Sequence, residues 1–287
     1  MTKSSLVLTL SCLDRIGIVS SVTSFLAEAG LNITESQQFG DATTGLFFMR
    51  VQVEGEGAEL TAVRDAMSGI GHEFSMSWQL HDMSQRPRML VLVSRFGHCL
   101  NDLLYRHQIG ALRADIPAVV SNHADFADLT ASYGIEFRHL PIDGRDPAGK
   151  IRQEAALLEL IDALSIDLVV LARYMQVLSP NVVERLEGRA INIHHGLLPS
   201  FKGAKPYQQA FDRGVKIIGA TAHYVTSDLD EGPIISQAVA NVHHAADPER
   251  LAAIGRDVEC QALARAVEWH LDQRVFLNGA KTVVFSS

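Results

Sequence analysis

The chain has 287 residues, of which 47% are hydrophobic and 20% are charged. That length provides enough apolar surface for one large domain or two modest ones. The formal net charge is −8, from 33 acidic and 25 basic side chains. An acidic chain lacks the basic surface with which proteins neutralise nucleic-acid phosphates, so we expect no nucleic-acid partner.

The chain also gives no sign of export or of a membrane span. The apolar run near its start is too short for a secretory signal, and no later run is long enough to cross a bilayer. The three cysteines, Cys12, Cys99 and Cys260, lie far apart and form no CxxC motif. Sparse, unpaired cysteines are typical of reduced thiols, so we predict a cytoplasmic protein with no membrane partner.

The first part of the chain predicts a small domain with a regular order of elements. Strands alternate with amphipathic helices in the order β-α-β-β-α-β, over residues 5–11, 17–30, 32–39, 45–55, about 59–70, and 75–82. Gly30 follows the first helix in the place that a C-cap glycine occupies. This order is the ferredoxin-like plan, which we assign to residues 1–84.

A polar, proline-containing linker at residues 85–88 separates this domain from a second one at 89–287. There, apolar strands such as 89–93 and 168–172 alternate with helical patterns. This alternation predicts a Rossmann-like, mostly parallel sheet that is covered on both faces, and an α/β protein overall. Ligands of such sheets bind beyond the carboxyl ends of the strands.

Two segments of the second domain carry candidate chemistry. Asn192 and His194 lie two residues apart on the predicted strand 190–194, so both side chains leave the same face. Polar side chains in a strand of isoleucines need hydrogen-bond partners or have a functional role, although these two could simply cap a loop. His223 lies on the next strand and could be a core histidine. Asp230 lies in an acidic loop that could be merely solvated.

Together the two segments resemble the formyltransferase domain of folate-dependent enzymes. The family pattern is Asn-x-His followed by Leu-Leu-Pro, with a distant Leu-Asp-x-Gly-Pro, and it falls on Asn192, His194 and Asp230. The resemblance is closer still to the formyltetrahydrofolate deformylases. It is carried by the doubled histidine His194-His195, by the runs at 203–226 and 255–285, and by a first domain similar to an ACT domain.

The resemblance implies hydrolysis of 10-formyltetrahydrofolate to formate and tetrahydrofolate in one-carbon and purine metabolism, with no cofactor and no metal. It implies that Asn192 stabilises the oxyanion, that His194 transfers a proton, and that Asp230 orients His194 and the water. The implied folate contacts are Met175, Gln176, Val177, Leu178, Thr226 and Ser227.

Two alternatives to hydrolysis remain open, namely formyl transfer to an amine acceptor and a sensor without activity. The loop at 94–99 has a single glycine. It therefore departs from the glycine-rich turn with which a sugar-phosphate transferase would hold a phosphate, and this favours hydrolysis.

The resemblance to an ACT domain implies a regulatory amino acid such as glycine or methionine, bound at a subunit interface of a homo-oligomer, for which a tetramer is one arrangement. The implied contacts are Asp14, Gly17, Ile18 and Asn32. We expect His195 to serve in packing, and Lys202 and the pair His243-His244 to lie on the surface.

Overall fold

The structure is a computed structural model, and it describes residues 4–55, 60–142, 146–200 and 206–286. The chain divides into two compact units. The first comprises the described residues up to Arg86, together with Asp272–Asn278 and the chain from Val283 on. The second comprises Pro87–Leu271 and Gly279–Thr282. No helix in the described part of the chain is long and apolar enough to cross a membrane.

The first unit contains a four-stranded sheet in the order β2-β3-β1-β4, with antiparallel neighbours. This arrangement confirms the predicted ferredoxin-like plan. Its elements are β1 (Ser4–Leu13), α1 (Ile18–Glu28), β2 (Asn32–Asp41), β3 (Leu46–Gly55), α2 (Leu60–Glu73) and β4 (Ser77–Asp82).

The core of the first unit follows from two periodicities. Leu6, Leu8 and Leu10 alternate along β1, while Val22 and Leu26 lie one turn apart on α1, and all five are buried in one cluster. Burial of each such side chain contributes about 1.5–3 kcal/mol relative to exposure.

The C-terminal strands β12 (Val275–Asn278) and β13 (Lys281–Val284) form a hairpin. The predicted second domain comprises all of residues 89–287. The structure instead groups residues 272–278 and the chain from Val283 on with the first unit. The difference concerns residues that no periodic pattern ties to either domain.

Charged groups hold this C-terminal segment within the first unit. Arg50 is 1% exposed, and it donates from Nη1 to Glu35 (2.8 Å) and from Nε to the Asp272 carbonyl oxygen (3.1 Å). Arg274 Nη1 donates to Glu35 Oε1 at 3.0 Å. The hydrogen bond from Arg274 is the largest of the influences that lower the pKa of Glu35, so this carboxylate binds both arginines as an anion.

The second unit contains a seven-stranded sheet in the order β11-β10-β9-β8-β5-β6-β7. Strands β5 to β9 are parallel to one another, while β10 is antiparallel to both β9 and β11, which confirms the predicted mostly parallel sheet. Its elements are β5 (Arg88–Val93), α3 (His98–Gln108), β6 (Asp115–Ser121), α4 (Ala127–Ser132), β7 (Glu136–His139), α5 (Pro147–Ala163), β8 (Leu168–Leu171), α6 (Pro180–Arg185), β9 (Ala190–His194), α7 (Pro206–Asp212), β10 (Ile217–Tyr224), β11 (Ile234–Asn241) and α8 (Pro248–Leu271).

The strand order of this sheet determines where a ligand can bind. The chain leaves β5 toward β6 and β7 on one side, and later returns to β8 and β9 on the other side. Where the order reverses, the connections diverge and leave a crevice beyond the carboxyl ends of the strands. The loop that follows β8 and the last residues of β9 lie at this edge.

Candidate active site

A cavity of about 410 Å³ lies at this edge of the sheet. Three segments form its wall, namely the loop after β8 (173–178), the end of β9 (192–195), and the loop after β10 (225–230). Met175, Val177 and Leu229 expose half or more of their surface. Apolar walls interrupted by a few polar groups are typical of pockets for flat heterocyclic ligands.

The cavity brings together the residues that the sequence analysis proposed for catalysis and for folate binding. All of them contribute to its wall, namely Asn192, His194, Asp230, Met175, Gln176, Val177, Leu178, Thr226 and Ser227. Their individual roles stay predictions.

His223 fixes the orientation of the Asn192 amide. The two residues face each other across the antiparallel pair of β9 and β10, with Asn192 Nδ2 3.3 Å from His223 Nε2. His223 Nδ1 lies 2.8 Å from the Tyr224 carbonyl oxygen, which can only accept, so Nδ1 carries the proton and Nε2 accepts from Asn192. Burial lowers the pKa of His223, which favours the neutral ring. Asn192 therefore retains a second N–H for another acceptor.

His194 and Asp230 form the second polar pair of the cavity. His194 Nδ1 lies 3.3 Å from Asp230 Oδ2, and the side chains are 4% and 12% exposed. The hydrogen bond from His194 is the largest of the influences that lower the pKa of Asp230, which favours the carboxylate. The turn is tight here, since a Cβ on Gly232 would overlap the Tyr224 carbonyl oxygen.

A second polar cluster adjoins the cavity. Glu259 on α8 is 1% exposed, and it accepts from His98 Nε2 at 2.8 Å and from the Tyr207 hydroxyl at 2.6 Å. Arg173 Nε lies 3.3 Å from Glu259 Oε2. Burial raises the pKa of Glu259, but His98, Arg173 and Tyr207 outweigh burial, so the pKa is lowered overall.

Arg173, Tyr207 and Glu259 are not among the site residues predicted from the sequence. One signal was available, since Arg173 places a charge directly after the apolar run of β8. His195 also lines the cavity, and burial together with the charge of Arg173 lowers its pKa to about 4. His195 is therefore neutral and packs its ring against Tyr207, with 6.0 Å between ring centroids.

The remaining candidate residues lie outside the cavity. His243 and His244 are exposed, as expected. Lys202 lies outside the described residues.

The predicted amino-acid contacts do not meet within one chain. Asp14 follows the end of β1, whereas Asn32 begins β2. Asn32 and Ser5 both pair with Glu54 of β3, so Asn32 lies level with the start of β1. At about 3.3 Å per residue the two ends are roughly 25–30 Å apart. Gly17 adopts a φ of 104° before α1, and Ile18 is buried in the core.

Comparisons with known proteins agree with the two-part fold. Residues 87–267 match the formyl transferase family, and residues 6–66 match the ACT domain family. The formyltetrahydrofolate deformylase of Corynebacterium sp. (strain P-1) is 52% identical over 280 residues, which are 97% of each chain.

Solved structures extend this likeness to three dimensions. The formyltetrahydrofolate deformylase of Burkholderia mallei is 50% identical with a TM-score of 0.93, and the match covers 99% of this chain and 100% of that one. This chain belongs to the formyltetrahydrofolate deformylases. Glycinamide ribonucleotide transformylase 1 of Symbiobacterium toebii is 30% identical with a TM-score of 0.66, covering 70% of this chain and 95% of its own. The likeness to the deformylases therefore spans nearly the whole chain, while the likeness to the transformylase is partial.

Proposed function

We propose that this chain hydrolyses 10-formyltetrahydrofolate to formate and tetrahydrofolate. The observation that carries the proposal is the convergence of Asn192, His194 and Asp230 in one largely apolar cavity at the carboxyl ends of β8 and β9. The relatives that match nearly the full length of the chain bear the name of this activity.

The proposed reaction divides the work among three side chains. Water attacks the formyl carbon, and a proton leaves the water for the Asp230 carboxylate. The free N–H of Asn192 donates to the oxyanion that forms on the carbonyl oxygen. His194 passes a proton to N10 as the carbon–nitrogen bond breaks, so formate and tetrahydrofolate leave. Asp230 passes the proton that it took from water to His194, which restores the starting protonation of the pair, and the hydroxyl proton of the new carboxylic acid goes to solvent as formate forms.

The same proposal assigns the pterin to the wall formed by residues 175–178 with Thr226 and Ser227. Met175 and Val177 supply apolar area, and the backbone of this loop supplies hydrogen-bonding groups for the ring edge. The reaction uses no cofactor and no metal. His98, Cys99 and Glu259 have donor atoms within 4.8 Å of one another, but Arg173 at 3.3 Å already offsets the charge of Glu259.

An assay without an amine acceptor tests this function. The purified protein is expected to release equal amounts of formate and tetrahydrofolate from 10-formyltetrahydrofolate, because water is the nucleophile. Both products are quantified over time, with heat-inactivated protein as the blank. Turnover that begins only after an amine is supplied would make the protein a transferase and overturn the proposal.

We propose in addition that a small amino acid, glycine or methionine, binds the ACT domain between two copies of this chain. Asp14 and Gly17 lie at one end of the sheet and Asn32 at the other, so a shared site needs a second copy to bring both ends to one ligand. The proposal therefore includes a homo-oligomer in which the Asp14 end of one subunit meets the Asn32 end of another.

Either amino acid at millimolar concentration is expected to raise the thermal midpoint and to change the rate of hydrolysis. The Asp14→Ala variant is expected to lose the shift of the thermal midpoint. Asp65→Ala, at an exposed position of α2, serves as the control. Sedimentation gives the oligomeric state. A monomer, or unchanged midpoints and rates with both amino acids, would contradict the proposal.

A further inference from the structure

Arg173 occupies an unusual backbone position at the cavity. It follows β8 with a φ of 64°, in the left-handed region that glycine adopts without strain. A side chain of this size in that conformation costs free energy, and such residues concentrate at functional sites. A glycine at this position would avoid the backbone strain, yet the chain carries an arginine there.

The guanidinium of Arg173 is buried and incompletely bonded. The side chain is 8% exposed, and among the described residues Nε and Nη1 have no hydrogen-bond partner. A buried charge is unfavourable unless it is paired and its donors are satisfied. The arginine therefore has donors available to a ligand.

Neighbouring groups fix the position of this guanidinium without using up its donors. Glu259 lies 3.3 Å from Nε, but its oxygens already accept from His98 and Tyr207. The Phe96 ring covers the guanidinium at 5.4 Å from its centroid. Arg173 also forms part of the same cavity wall as Asn192 and His194.

We propose that Arg173 forms the binding site for the formate anion inside the cavity. The inference rests on the proposed function, because hydrolysis converts a neutral formyl group into a planar anion with two oxygens. The fork of a guanidinium matches a carboxylate in bidentate geometry. The interaction strengthens as negative charge develops, so it favours product formation over substrate binding.

The burial of Arg173 selects a small anion. The two-oxygen end of formate can approach a guanidinium at the cavity wall, whereas the carboxylates of the folate glutamate are separated from the reacting carbon by the aminobenzoate ring. A surface arginine would suit those carboxylates better.

Formate binding to the folded protein tests the site directly. Titration of the protein into ¹³C-formate, followed by the formate NMR linewidth, gives an affinity that does not depend on turnover. Wild type is compared with Arg173→Gln, Arg173→Lys, and the exposed control Arg95→Gln from the neighbouring strand end. We expect at least a tenfold loss of affinity in R173Q, a smaller loss in R173K, and no loss in R95Q. The inhibition constant of formate as a product inhibitor should shift in parallel.

The outcomes separate this inference from the proposed function. The formate site would be overturned if the formate linewidth does not change when wild-type protein is added, or if wild type and folded R173Q bind formate equally. Either result leaves the proposed hydrolysis intact. If R173Q loses formate binding but the wild-type protein releases no formate from 10-formyltetrahydrofolate, the anion site stands and its assignment to the reaction product is overturned. If R173Q does not fold, the double variant R173Q/E259Q removes both buried charges and is expected to show the same loss.

Discussion

Replacing Asp230 with asparagine is expected to lower kcat for hydrolysis by about 10²–10⁴-fold. The substitution keeps the size of the side chain but removes the negative charge and the site that accepts a proton from water. It also removes the carboxylate that faces His194, whose Nδ1 lies 3.3 Å from Asp230 Oδ2. KM should change much less than kcat, because Asp230 acts on the reacting atoms rather than on the pterin. Steady-state rates of tetrahydrofolate formation provide the measurement.

The pH profile gives an independent readout of the same residue. The pKa of Asp230 is lowered, chiefly by the hydrogen bond from His194, so wild type should keep the carboxylate in mildly acidic solution and lose it only as pH falls further. D230N cannot show that acidic limb. His243→Gln, at an exposed histidine outside the cavity, serves as the control and should match wild type. A D230N enzyme within threefold of wild-type kcat would contradict the assignment.

Replacing Glu259 with methionine is expected to destabilise the second unit by about 3–5 kcal/mol. Methionine fills a similar volume, so the loss comes from polar groups rather than from a cavity. Arg173 loses the carboxylate at 3.3 Å and becomes an uncompensated buried charge. Tyr207 loses an acceptor at 2.6 Å. Urea unfolding followed by the fluorescence of Trp269 on α8, in a Trp78→Phe background, reports on this unit.

Surface ion pairs supply the matched control. Asp162 accepts from Arg185 at 2.8 Å with both side chains about half exposed, so Asp162→Asn should cost at most about 1 kcal/mol. The folded-state pKa of Glu259 is lowered, so its contribution is present above the unfolded-state pKa and is lost as pH falls through the folded-state pKa. The difference in the free energy of unfolding between wild type and E259M should therefore become smaller in acid. Equal losses in E259M and D162N would contradict a buried role for Glu259.

The sequence predicts most of the fold because its periodic patterns are local. The alternation of Leu6, Leu8 and Leu10 predicts β1, and the apolar run at 168–171 predicts a buried parallel strand. The C-terminal hairpin carries no such signal. The grouping of residues 272–278 with the first unit depends on Arg274 reaching Glu35, and these two residues are 239 positions apart in the chain.

The spacing of Asn192 and His194 is enough to place both side chains on one face of a strand, since side chains alternate with a period of two. A motif resemblance added Asp230. Three contacts exist only in the folded chain: Asp230 meets His194, His223 orients Asn192, and Arg173 pairs with Glu259 in a buried position. These contacts depend on the order of β8, β9 and β10 and on the packing of α8 against β10. The strand order and the helix position arise from burial summed over the whole unit, which no local pattern encodes.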